Sequence, residues 1–149
     1  TKHTKFDAKD QPVDSILFDM DQKESHGTQK LFYLAGPIVD ALSEGKILVV
    51  DEMEARLHPL ITQKLIQLFN STKTNSKHAQ LIFTTHDTNL LSNKFFRRDQ
   101  IWFIEKDRKG CSHLYSLVEL KVRNDRSFEN DYISGRYGAI PFISGIQTI

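Results

Sequence analysis

Ile47-Leu48-Val49-Val50-Asp51-Glu52 is the stretch on which the reading of this fold turns. A short, unbroken run of aliphatic and β-branched residues predicts a strand buried on both faces, as in a parallel sheet. It ends on two carboxylates. Downstream, Pro59 suits the first turn of a helix whose apolar stripe is Ile61, Leu65, Leu68 and Phe69. The polar stretch Ser71 to Lys77 closes that helix, and Leu81-Ile82-Phe83 predicts a second buried strand ending in Thr84-Thr85-His86-Asp87. Strand, helix and strand within about 40 residues make a βαβ unit, normally right-handed.

Upstream, Thr28 to Ser43 reads as a helix with Leu31, Leu34, Ile38 and Leu42 on one stripe. Gly36-Pro37 inside it predicts a kink or a split, and Gly45 a stop. From Val13 to Asp21 the residues alternate, with Ile16, Phe18 and Met20 on one face and Ser15, Asp19 and Asp21 on the other, Leu17 interrupting. That pattern predicts a half-exposed antiparallel strand. Ile101-Trp102-Phe103-Ile104 and Ser112 to Val118 form a strand pair about a turn at Asp107-Arg108-Lys109-Gly110. Phe128 to Ser134 reads as a short helix and Gly135-Arg136-Tyr137-Gly138 as a loop. The expected class is α/β, a mainly parallel sheet flanked by helices with an antiparallel hairpin, in one domain spanning 1–149.

Composition bounds the function. The chain has 149 residues, 20 basic and 19 acidic side chains and a formal net charge of +1. That balance argues against a basic nucleic-acid arm and against an acidic disordered tail. A hydrophobic share of 39% with 10 Phe supports a real core, and 7 Gly with 4 Pro are too few for a low-complexity linker. Cys111, the single cysteine, allows no internal disulfide and no tetracysteine site, so a reducing cytoplasm is the expected compartment. No apolar run approaches the ~20 residues of a membrane span, so no membrane partner is expected. Thr1 to Lys5 is followed by no apolar segment of a signal peptide. The start without Met, in a strand-like pattern, is read as the start of a fragment.

Three constellations carry chemistry. Open parallel sheets present ligands at the carboxyl ends of their strands, where Asp51 and Glu52 stand. One carboxylate there can support Mg²⁺ while the next orients and deprotonates water. A strand end with two solvated acids is the alternative reading. His86, at the end of the second strand, can hydrogen-bond a γ-phosphate or the attacking water, or it is an ordinary surface residue. Glu24-Ser25-His26-Gly27-Thr28-Gln29-Lys30 is a polar turn opening onto a helix, with Ser25 and Thr28 as N-cap candidates and free amides for an anion. Capping alone accounts for it equally well.

Taken together, the stretches resemble a known family. Ser25-x-Gly27-Thr28-Gln29 resembles the signature motif of ABC-type ATPases, and Val50-Asp51-Glu52 their Walker B motif with its catalytic glutamate. Ala55-Arg56-Leu57-His58-Pro59 sits where their D-loop follows, and Thr85-His86-Asp87 looks like the switch-histidine loop. Order and spacing agree over roughly residues 24 to 90, and the details are similar to the AAA-type, ABC-like ATPases of bacterial anti-phage and abortive-infection systems. The tail from Gly135 to Phe142 also resembles the end of that family.

The resemblance implies a P-loop NTPase-like fold using ATP and Mg²⁺. Asp51 would support Mg²⁺, Glu52 would be the general base and His86 would sense the γ-phosphate. Ser25, Gly27, Thr28 and Gln29 would face nucleotide held by a second ATPase head in a homodimer, with an effector nuclease as a further partner. DNA or RNA as a partner is not supported by the net charge.

One departure matters. A P-loop needs Gly-x-x-x-x-Gly-Lys-Ser/Thr. The only Gly-Lys here is Gly45-Lys46, with Asp40 five residues before Gly45 and Ile47 following. In the family the P-loop lies upstream, so the expectation is the carboxyl-terminal lobe of a longer ATPase, inactive alone. Two alternatives compete: a non-hydrolysing regulatory or dimerisation module, and the ATPase part of an overcoming-lysogenization-type nuclease. The nuclease alternative is disfavoured because the acids after His86 are scattered. Phe95-Phe96-Arg97-Arg98 and Lys121 to Arg126 are read as solvated surface before nucleic-acid contacts. His78, His113 and Cys111 lack zinc-ligand spacing, and Cys111 is read as a plain thiol.

Overall fold

The computed structural model describes residues 1–123 and 127–141. Asn124 to Arg126 of the second basic stretch and Phe142 of the tail motif lie outside the described residues. The chain divides into two compact units, Thr1–His86 and Asp87–Ile149.

In the first unit, β1 (Lys2–Phe6) and β2 (Pro12–Leu17) form an antiparallel hairpin, with Lys2 opposite Leu17 and Thr4 opposite Ser15. Asp7 closes its turn by accepting the amides of Lys9 and Gln11 at 2.8 and 3.0 Å. The predicted alternation holds for Ile16, Phe18 and Met20, which are half-buried, although the strand ends at Leu17. Helix α1 spans His26–Glu44 without a break. Pro37 does not split it into two elements. Its ring and Gly36 lie on the exposed side, where the loss of one helical donor is tolerated.

The parallel pair follows. β3 (Ile47–Val50) aligns with β4 (Gln80–Phe83), Ile47 opposite Gln80 and Val50 opposite Phe83. The intervening helix α2 (Pro59–Asn70) has His58 as N-cap and Pro59 in its first turn. Its buried face is Thr62, Leu65, Ile66 and Phe69, rotated from the expected stripe, so that Ile61 and Leu68 lie at the margin. The connection from α2 to β4 is held by Asn75, whose buried amide donates to the carbonyls of Phe69 and Ala79, both at 2.8 Å, and accepts the Ala79 amide at 2.6 Å.

One expectation is corrected here. β3 and β4 are covered on one face only: Leu48, Val50, Leu81 and Phe83 are half-buried, whereas Ile47, Val49 and Ile82 are 61%, 70% and 55% exposed. A hydrophobic run marks a strand, but covering a second face takes another packed layer, and among the described residues of this unit none lies there.

In the second unit, β5 (Trp102–Lys106) and β6 (Ser112–Ser116) form the expected antiparallel hairpin about Asp107 to Gly110. Short 3₁₀ turns at Thr88–Leu90, Arg98–Gln100 and Leu117–Leu120 and helix α3 (Phe128–Ile133) complete it. Ile101, Phe103, Leu117, Val122, Phe128 and Tyr137 are its core. The tail motif is built into that core. The Tyr115 hydroxyl donates to the Tyr137 carbonyl at 2.6 Å, and Tyr132 to the Ala139 carbonyl at 2.9 Å. Among the described residues one strand pair is parallel and two are antiparallel, so the parallel sheet is a smaller share of the α/β architecture than expected.

Candidate functional site

The carboxyl ends of β3 and β4 carry the site. Pairing runs one step past the strands: the Thr84 amide donates to the Val50 carbonyl and the Met53 amide to the Thr84 carbonyl, both at 3.1 Å. This brings the Thr84 hydroxyl between the two acids. It donates to Asp51 Oδ1 and accepts the Glu52 amide at 2.8 Å. Glu52 adopts φ 45°, a left-handed conformation that a non-glycine residue reaches only when its surroundings hold it. The holding groups are visible. Thr84 takes the amide, Lys30 Nζ donates to the Glu52 carbonyl at 2.6 Å, and the Met53 side chain behind it is fully buried.

His86 and Glu52 face each other. His86 Nε2 lies 3.9 Å from Glu52 Oε1, and both side chains are open to solvent. That separation is too long for a direct hydrogen bond, but a single oxygen about 2.8 Å from each atom would bond to both. The His86 backbone is fixed by Glu54, whose Oε1 accepts the His86 amide at 2.7 Å.

The start of α1 stands beside this turn. Ser25 is the N-cap, its Oγ accepting the Thr28 amide at 3.1 Å and meeting Thr28 Oγ1 at 2.8 Å. Gly27 is required by close approach: a Cβ there would stand 2.7 Å from the Arg56 carbonyl oxygen. Arg56, at φ 64°, also places its guanidinium 3.2 Å from His26 Nδ1. Gln29 turns its amide nitrogen onto the carbonyls of Met20, Asp21 and Glu24, at 3.0 to 3.2 Å, and so fastens the preceding loop to the helix. The residues from Ser25 to Gln29 and from Asp51 to Arg56 thus form one connected surface with His86.

Gly45-Lys46 has a different role. Gly45 is the left-handed C-cap of α1 at φ 70°, and Lys46 pairs with Asp40 at 2.8 Å. It cradles nothing.

The sequence places Thr84, Lys30 and Arg56 inside the motif stretches but assigns neither them nor Glu54 a role in the site. The hint available was position: Thr84 is the first residue past β4, and Glu54 is three residues past Asp51.

A model of the family described as "AAA domain, putative AbiEii toxin, Type IV TA system" matches residues 8–92, more than half of the chain. The chain belongs to this AAA-domain family. The matched stretch runs from the β1–β2 turn past His86 and contains every residue of the surface just described. An AAA domain of this kind is ATPase-like and nucleotide-using, usually with Mg²⁺, and the family's description sets it in an abortive-infection and toxin–antitoxin context. A comparison with curated proteins found no match.

No group of three or more His, Cys, Asp or Glu side chains that could hold a metal occurs among the described residues. Mg²⁺ does not require one, because it keeps several waters and is bound by one or two carboxylates together with phosphate oxygens. Asp51, with one oxygen bonded to Thr84 and its side chain at an open strand end, fits that use. Among the described residues no helix is long and apolar enough to cross a membrane.

Proposed function

We propose that this chain is the carboxyl-terminal lobe of an ABC-like ATPase head, supplying the signature, Walker B and switch-histidine elements of a nucleotide site in an anti-phage or DNA-processing complex. The observation that carries the reading is the pair Glu52 and His86, 3.9 Å apart at the carboxyl edge of a parallel strand pair. Family membership supports it independently.

In this reading Asp51 would hold Mg²⁺, which when bound neutralises charge on phosphate oxygens. Glu52 accepts the proton of the attacking water, its carboxylate open to solvent at the strand end. His86 donates a hydrogen bond to the anionic oxygen it faces and thereby senses whether phosphate is present. Ser25, Gly27, Thr28 and Gln29 present the start of α1 to nucleotide held by a second head. Thr28's amide is already capped, so the amides of His26 and Gly27 are the open donors there. Lys30 ties that helix to the Glu52 carbonyl and so links the signature to the turn bearing the general base.

No Gly-x-x-x-x-Gly-Lys-Ser/Thr occurs in the sequence, so the phosphate cradle must come from another segment or chain. The isolated chain is therefore expected to show no saturable micromolar MgATP binding. The deciding experiment measures MgATP turnover by a protein in which a P-loop lobe accompanies this chain, beside its Glu52→Gln version. Loss of a general base lowers turnover by about a hundredfold or more. Equal turnover in both would remove Glu52 from the chemistry, and no turnover in either would leave a non-hydrolysing interaction module.

A further inference from the structure

Glu54 is the one acid of the 51–54 turn for which neither metal support nor proton transfer accounts. Its position is set by the backbone around it. The Ala55 amide donates to the Glu52 carbonyl at 3.0 Å and the Leu57 amide to the Glu54 carbonyl at 2.9 Å. The buried side chains of Met53 and Leu57 anchor the turn on either side. From this turn Glu54 reaches the loop after β4, 32 residues later in the chain, where Oε1 accepts the His86 amide at 2.7 Å. The Thr85 hydroxyl bonds the same carboxylate. Its other oxygen, Oε2, is buried and has no hydrogen-bond partner among the described residues.

A solvated surface acid would not be held in this way. Burying a carboxylate oxygen without a partner is unfavourable, and Glu at this position is retained only where its other contacts outweigh that cost. Burial pushes the Glu54 carboxyl up, but the His86 amide, the Thr85 hydroxyl and the neighbouring His86 charge together hold it below the ordinary Glu value. The group is therefore ionised near neutrality, and a charged acceptor makes the stronger and shorter hydrogen bond.

We propose that Glu54 is a positioning residue: it clamps the backbone of Thr85 and His86 to the turn bearing Glu52, and so sets the distance between the switch histidine and the general base. The consequence for turnover rests on the ATPase reading above; the clamp itself does not.

Two measurements test it. In this chain, amide hydrogen exchange at His86 is compared for wild type, Glu54→Ala and Glu54→Gln. Gln keeps an oxygen acceptor of the same reach, so it should preserve protection, whereas Ala should raise His86 exchange by about tenfold or more. In the protein carrying a P-loop lobe, Glu54→Ala should lower kcat by about tenfold to a hundredfold with KM unchanged, and Glu54→Gln should restore most of it. Unchanged His86 exchange in Glu54→Ala overturns the clamp. Raised exchange with an unchanged kcat overturns its role in catalysis. Raised exchange in a protein whose wild type shows no turnover supports the clamp and removes the ATPase reading instead.

Discussion

Gly27→Ala isolates the contact on which the site's connected surface depends. Gly27 lies in the first turn of α1, and a methyl group there would normally help the helix by about 1 kcal/mol. At this position the added Cβ would stand 2.7 Å from the Arg56 carbonyl oxygen, closer than real Cβ atoms come to backbone. The neighbour is main chain in a left-handed conformation at φ 64°, not the end of a flexible side chain, so it yields only by moving the turn that carries Glu52 and Glu54. Crowding of this kind costs about 1–3 kcal/mol, so the net effect is a loss of about 1 kcal/mol, between about 0 and 2. Gly36→Ala in the same helix is the comparison, because among the described residues a Cβ there meets nothing within 4 Å beyond its chain neighbours and the adjacent backbone of the helix itself. Its gain is at most about 1 kcal/mol, reduced by the Pro37 ring that follows. Urea unfolding followed by amide exchange in residues 1–86 should rank Gly27→Ala below both wild type and Gly36→Ala. A Gly27→Ala protein as stable as Gly36→Ala, with exchange across residues 52–56 unchanged, would refute the argument that α1 presses on that turn.

Two further outcomes concern the scaffold. Asn75→Ala leaves two carbonyls and one amide of the α2–β4 connection without partners, and should lower stability by about 3 kcal/mol in urea unfolding; a loss under about 1 kcal/mol would mean that water replaces the side chain. The hairpin turns should loosen in acid. Asp7 is held below the usual carboxylate value by the amides of Gln11 and Lys9, and Asp107 by the Cys111 amide, His113 and the Lys109 amide. A lowered folded pKa means stability present above the ordinary value of 3.8 and lost as pH falls through the folded value. Amide exchange at Gln11 and Cys111 should therefore accelerate, beyond its intrinsic pH dependence, only below that range, and Asp107→Asn should abolish the change at Cys111 alone.

Much of this structure is legible locally. Ile47 to Val50 and Leu81 to Phe83 announce strands by composition, Pro59 and Ser25 announce helix starts, and Gly45 announces a stop. Each signal lies within a few residues of what it specifies. The strand-like start is β1, exposed along its length from Lys2 to Phe6, and its pairing with β2 is what the sequence leaves unspecified. Pro37 looked like a break, yet α1 runs through it, since one missing donor on a wet helix face is tolerated when the rest of the helix packs.

The order Ser25, Gly27, Asp51, Glu52, His86 and the family it indicates were determined by the sequence by itself, because those residue types at that spacing suffice to recognise them. Only the tertiary structure decided that Thr84 joins the two acids, that Lys30 ties α1 to Glu52, and that Glu54 holds His86. Those contacts span 22 to 33 residues of chain. The contacts of Thr84 and Glu54 exist because parallel pairing of β3 with β4 sets one strand end beside the other, and that of Lys30 because α1 starts beside the turn after β3; a hydrogen bond between two residues so far apart leaves no periodic mark on the sequence of either.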